Sequence, residues 1–316
     1  MTSLERFKVC AVIVTYNRRK LLEKSLESLR VQSYRPDSII VINNASTDDT
    51  KQYLSIQDDV IDVNMEDNLG GAGGFHYGIA KAVEEGCDFV WLMDDDASAD
   101  KTALEELIKS YIKMKEYYKE VGFICSKVYG KGNVTLNVPQ ISSKLDVSGY
   151  PLWMKHFDKG VIEVDSCTFV SMLIPIEHIK KLGLPIKEMF IWGDDTEYSL
   201  RISNNYNCFI SATSHVLHER VTNGSLSIVN ELDINRLQWY ELYYRNKFYS
   251  FMTHKGLKET IWLVIHIFMT FIKISLKSPN KKLLRLKYLI KGSLNGLFFK
   301  PKIIFCKNGF SKVIKK

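Results

Sequence analysis

The apolar residues of this chain fall in short unbroken runs, each followed by a polar loop and a segment of helical spacing. Lys8–Thr15 (KVCAVIVT) and Ser38–Asn43 (SIIVIN) read as strands, Val60–Val63 as a third, and Phe89–Met93 (FVWLM) as a fourth. Such runs belong to strands buried on both faces. Between them, Leu22, Leu26 and Leu29 recur at helical spacing, one helix runs through Ala80–Glu85, and another covers Leu104–Tyr118. Four alternations of strand, loop and helix predict βαβ units, a parallel sheet, and one edge on which the loops gather. That arrangement is a nucleotide-binding half-domain.

The pattern then changes. Residues Val121–Leu184 are less regular, with short β-like runs that suit antiparallel strands. FIWGDDTEYSLRI sets acids just ahead of a helix, Asn207–Ala212 is a short strand, SHVLHERVTNGS a polar loop, and Leu232–Met252 an aromatic-rich helix. Thr260–Leu276 is apolar but interrupted by His266 and Lys273. It falls short of the roughly 20 apolar residues that a spanning helix needs. Attachment at a membrane interface is the expected role, helped by Lys277, Lys281, Lys282, Arg285 and Lys287. A helix buried against the body or a partner subunit, as in a homo-oligomer, is the alternative.

Composition adds two points. Six cysteines are scattered, with no CxxC pair and no His/Cys cluster at zinc spacing, which argues against a disulfide scaffold and a structural zinc. The N-terminal stretch enters a strand without a signal-peptide pattern, so a cytosolic location is expected. The net charge of +7 conceals a split: Lys255–Lys316 holds fifteen Lys and Arg against the single acid Glu259, a net of +14, which leaves −7 on the rest. This is not a nucleic-acid footprint. It suits a soluble domain whose basic tail meets the anionic inner face of the cell membrane, peripherally. Two units are expected, 1–228 and 229–316.

Candidate chemistry centres on Cys87–Asp100, where the fourth strand ends in Asp94, Asp95 and Asp96. Ligands of open α/β sheets bind at the carboxyl ends of the strands. Asp94 and Asp96, two residues apart in an extended segment, share a face and can reach one divalent cation. A plain helix cap by Asp96, Ser98 or Asp100 ahead of Lys101 competes with that reading.

Four motifs now stand in order: VTYNR after the first strand, NNASTDDT after the second, a glycine-rich Asn68 segment, and DDD after the fourth. Together they resemble the family-two inverting glycosyltransferases, and NLGGAGGF (Asn68–Phe75) is similar to that run in bacterial galactofuranosyltransferases. The resemblance covers Val9–Val221 and continues into YYRN (Tyr243–Asn246). It implies an α/β fold of GT-A type, a Rossmann-like and mostly parallel sheet flanked by helices, with a helical C-terminal extension. It further implies a UDP-sugar donor, probed by Thr15, Asn17, Arg18, Asn44, Asn68, Gly70, Gly71 and Asp95. A divalent metal, Mn2+ or Mg2+, would be held by Asp94, Asp96 and a histidine, His218 in preference to His215. In WGDDTE the resemblance marks Asp195 as catalytic base, with Asp194 and then Glu197 behind it and Trp192 as a sugar platform; Gly193 stands where many relatives keep a larger residue. The expected reaction is galactofuranosyl transfer from UDP-galactofuranose to a lipid-linked glycan in capsule, O-antigen or cell-wall synthesis. A dTDP-rhamnose enzyme and a non-catalytic nucleotide-sugar-binding scaffold are the alternatives.

Overall fold

The structure is a computed structural model that describes residues 6–220 and 226–306. The end of the HERVTNGS run, the first five residues and the last ten lie outside it. The buried runs form β1 (Val9–Thr15), β2 (Ser38–Asn43), β3 (Val60–Asn64) and β4 (Phe89–Asp94), with α1 (Arg19–Arg30), α2 (Thr50–Leu54) and α3 (Gly70–Glu84) between them. The order β3-β2-β1-β4 is parallel throughout, as the alternation requires. Every residue of β1 is buried, since helices cover both faces of the sheet.

Beyond β4 come β5 (Ala97–Ala99), α4 (Ala103–Lys115), β6 (Val121–Gly130), β7 (Val134–Thr135), β8 (Gln140–Ile141), β9 (Val161–Ser166), β10 (Met172–Pro175), α5 (Ile176–Leu182), α6 (Asp194–Ser203) and β11 (Asn207–His218). Here the sheet turns mixed. β10 runs antiparallel between β4 and β6, and β11 is parallel to β6 but antiparallel to β5 and β9. β11 runs six residues past the strand expected to end at Ala212. The SHVLH stretch from Ser214 reads as a polar loop, yet Ser214, like Ser211 before it, is wholly buried. Their hydroxyls are satisfied by Ser110, Ser126 and the Ala103 carbonyl, which makes burial affordable.

The glycines of the NLGGAGGF run prove to be packing residues as much as loop residues. Gly74 faces Val14 so closely that a Cβ there would overlap the valine side chain, so α3 can lie directly on β1. Cys10 and Cys87 are joined by a disulfide, a single bridge rather than a scaffold, while Cys125, Cys167, Cys208 and Cys306 are buried.

The C-terminal region forms α7 (Trp239–His254), α8 (Leu257–Lys277) and α9 (Lys282–Phe298). α8 is longer than its apolar run suggested; at 21 residues it is long and apolar enough to cross a membrane. Leu263, Thr270 and Ile274 are buried, but only 17% of its most apolar window is. Arg285, expected on a basic surface, is instead buried, its guanidinium donating to the carbonyls of Ile228, Glu231 and Asn280.

Candidate active site

The carboxyl edge of β4 carries the acids, and the three sit in different surroundings. Asp95 turns inward, where Thr15 Oγ1 donates to it at 2.8 Å and Arg18 Nη1 at 3.2 Å. Asp96 accepts from Arg18 Nη1 at 2.9 Å and lies 2.9 Å from His218 Nε2. Asp94 stays unclaimed by a hydrogen bond at the mouth, its Oδ2 4.0 Å from His218 Nε2. Register explains the histidine: β11 pairs with β5 so that His218 stands opposite Ala97, beside Asp96. His215, three residues earlier, falls on the other face of the strand, with Nδ1 3.9 Å from Asp100. Both histidines are therefore strand residues, not loop residues, and only His218 joins the acids.

Ligand atoms of Asp94, Asp96 and His218 all lie within 4.8 Å of one another. Two carboxylates and an imidazole suit a divalent ion such as Mn2+ or Mg2+. The second ring nitrogen of His218 is already tied, Nδ1 donating to Asn137 Oδ1 at 2.8 Å, as metal-bound histidines require. The electrostatics agree with a site short of positive charge. Burial, then the charge of Asp96, pushes Asp94 up to about 7. Burial also pushes Asp95 up to about 6, against the pull of Arg18. Burial would raise Asp96 too, but the bonds from His218 and Arg18 hold it below the usual carboxylate range.

The residues expected to receive the base of a nucleotide are largely engaged with one another. Asn17, at φ 55°, accepts from the Thr47 and Asp48 amides and ties the β1 and β2 loops together. Asn44 is 2% exposed, and its amide donates to Asn68 Oδ1 and the Gly70 carbonyl while its oxygen accepts from the Leu69 amide. Thr15 is 1% exposed, its hydroxyl spent on Asp95. Thr15 and Asn44 thus shape the pocket wall from behind instead of presenting donors to it. Gly70 takes φ +70° and abuts the Phe190 carbonyl, where any side chain would collide; Gly71 faces open space.

Residues 10–160 match the model of the glycosyl transferase family 2. The chain is 40% identical over 213 residues to the galactofuranosyltransferase GlfT1 of Mycolicibacterium smegmatis, covering 61% of this chain and 65% of that protein. The matched stretch thus spans less than two thirds of that relative's length. Two solved structures share the fold at 15% identity: GalNAc-T7 with UDP, GalNAc and Mn2+ (TM-score 0.54, 78% of this chain and 50% of that one) and Staphylococcus aureus TarS 1-349 with UDP (TM-score 0.50, 93% and 72%). Residues 10–160 thus resemble a family 2 glycosyltransferase domain. The architecture of the chain is GT-A.

Facing the acids of β4 is the WGDDTE segment at the start of α6. Asp194 is buried, and burial followed by the charge of Asp195 drives it well above the usual carboxylate range. Asp195 is half-buried; burial raises it, against hydrogen bonds from Thr196, whose amide and hydroxyl both donate to Oδ1 and leave Oδ2 free. Glu197 leaves the list of candidate bases. It is wholly buried and bound to Arg201 Nε at 3.0 Å and His254 Nε2 at 2.9 Å. Trp192 packs against Tyr240 with ring centroids 5.1 Å apart, beneath the Arg236 guanidinium, so its ring belongs to the base of the helical region. Sequence reading missed Asn137, His254 and the role of Arg245–Asn246. The YYRN run was the only signal for the last pair.

Proposed function

We propose that this glycosyltransferase is an inverting, metal-dependent galactofuranosyltransferase that uses UDP-galactofuranose and a lipid-linked glycan acceptor at the inner face of the cell membrane. The observation that carries the reading is the meeting of Asp94, Asp96 and His218 with Asp194 and Asp195 at one sheet edge. The similarity to GlfT1 supports the sugar.

A divalent ion held by Asp94, Asp96 and His218 would neutralise charge on the departing diphosphate. The chain's own residues do the rest. Arg18, half-exposed and already shared between Asp95 and Asp96, can turn its guanidinium to phosphate oxygens. Asp195 takes the proton from the acceptor hydroxyl through its free Oδ2. The acceptor oxygen bonds to the anomeric carbon as the carbon–phosphate-oxygen bond breaks, its electron pair leaving with UDP. Inversion follows from attack opposite the leaving group.

Titrating the protein with UDP, first with Mn2+ and then with chelator, tests the site, and competition tests the sugar. Metal-dependent UDP binding displaced by UDP-galactofuranose is expected. Preference for dTDP-rhamnose would overturn the sugar, and binding without transfer would favour a scaffold.

The helical region from residue 229 serves the membrane in this reading. Leu257, Ile261, Trp262, Ile265, Phe268 and Leu276 of α8 are all exposed, a larger apolar surface than a soluble monomer leaves bare. Lys277, Lys281, Lys282 and Lys287 lie exposed beside it. Each aromatic side chain transferred into lipid contributes about 2 kcal/mol. Replacing Trp262 and Phe268 together by serine should therefore abolish co-sedimentation with anionic vesicles. Undiminished binding would sink the membrane role, and a stable dimer in solution would assign the face to a second copy. Removing the whole tail is a poorer test, because it also strips α9 from α7.

A further inference from the structure

The turn that delivers the WGDDTE acids is strained. Phe190 has φ 64°, Trp192 φ 58° and Gly193 φ 105° within four residues. A non-glycine residue in such a conformation costs about 1–3 kcal/mol and persists only where its surroundings over-determine it. The surroundings here come from a distant helix. Asn246 on α7 is completely buried, and its Nδ2 donates to the carbonyls of Met189 (2.9 Å), Ile191 (3.1 Å) and Trp192 (2.9 Å). Its Oδ1 is fixed in turn by Arg245 Nε at 3.0 Å and Nη2 at 2.9 Å, and Nη2 also donates to the Glu188 carbonyl at 2.7 Å. A Cβ added at Gly193 would come within 3.1 Å of the Asn246 Cβ. The same turn reaches the opposite wall of the site, because the Phe190 carbonyl accepts from the Ala72 amide next to the glycine-rich loop.

We propose that Asn246 is a positioning residue for glycosyl transfer: its one amide, oriented by Arg245, holds the strained 189–193 backbone that sets Asp194 and Asp195 opposite Asp94. The inference rests on the reading of Asp195 as the acceptor-side base. Asn246 itself binds none of Asp94, Asp96, His218 or Arg18, and the turn's hydrogen bond to the glycine-rich loop is made by the Phe190 carbonyl, which Asn246 does not bind. Losing it lets the turn relax toward ordinary dihedrals and carries the two acids with it. A displacement on the order of 1 Å at a reacting group costs about a hundredfold in rate.

The experiment compares the unaltered protein with Asn246→Ala and Gly193→Ala, measuring the stoichiometry and affinity of UDP binding with Mn2+ alongside kcat and donor KM for transfer. Gly193→Ala strains the turn at its φ of 105° and crowds the Asn246 Cβ while keeping the Asn246 amide in place, so it serves if Asn246→Ala does not fold. The expected result is full UDP stoichiometry, affinity and donor KM within about threefold of the unaltered protein, and kcat reduced about a hundredfold. A merely structural asparagine would instead lower the bound stoichiometry and transfer in parallel. That outcome, or unchanged kcat in both variants, overturns the proposal while leaving the proposed function intact. Absence of transfer by the unaltered protein overturns the function, and the positioning role falls with it.

Discussion

Replacing Asp195 with alanine should reduce glycosyl transfer by about a hundred- to ten-thousandfold, the usual contribution of a general base, while leaving metal-dependent UDP binding in place. The contrast among the three acids of α6 makes the expectation specific. Asp195 has one carboxylate oxygen engaged by Thr196 and the other free, and it is half-buried, so an acceptor hydroxyl can reach it. Glu197 is wholly buried between Arg201 and His254. Breaking a buried ion pair of that kind destabilises a protein by about 3–5 kcal/mol. Glu197→Gln should therefore lower the melting temperature and weaken UDP binding and transfer together. Steady-state kinetics with calorimetric UDP binding on the two variants separates the cases. Loss of both binding and transfer in the Asp195 variant would make that residue structural too.

Much of the donor half was legible because its physics is local. A run such as FVWLM can only be a strand buried on both faces, and acids directly after it must stand at the carboxyl edge. What escaped reading depended on contacts far apart in sequence. The SHVLH segment looks like a loop until Ser214 finds buried partners on β6 and α4. The resulting strand pairing supplies the physical reason for His218, already preferred by resemblance, over His215. Thr15, Asn17 and Asn44 have the chemistry of ligand donors, but their nearest unsatisfied partners are each other's loops, and those win in this structure. Glu197 looked like a catalytic candidate because its neutralising partner His254 lies fifty-seven residues later. The same distance hides Asn246 behind a motif whose purpose is invisible until the strained carbonyls it binds are in view.

Raising the pH is expected to destabilise the metal-free protein and, at the same time, to enlarge the stabilisation that Mn2+ provides. Asp94 and Asp95 keep their protons in the folded state up to about 7 and about 6, and Asp194 is raised as well. In the unfolded chain the same groups ionise near the ordinary aspartate value of about 4. Between those limits the folded state binds more protons than the unfolded one, so stability falls as pH climbs from about 4 to about 7. Asp96 works in the opposite sense, since its depressed value means that its contribution is lost only when the solution becomes strongly acidic. A cation needs the carboxylates ionised, so each proton it displaces makes its affinity rise by up to about tenfold per pH unit below the pKa of that group. Thermal melts with and without Mn2+ at about pH 5 and about pH 8 should thus show a lower metal-free midpoint and a larger metal increment at the higher value. Asp96→Asn should erase the increment at both. An increment that ignores pH, or that survives loss of Asp96, would mean that the ion binds elsewhere and that the crowding of acids at the end of β4 serves some purpose other than holding it.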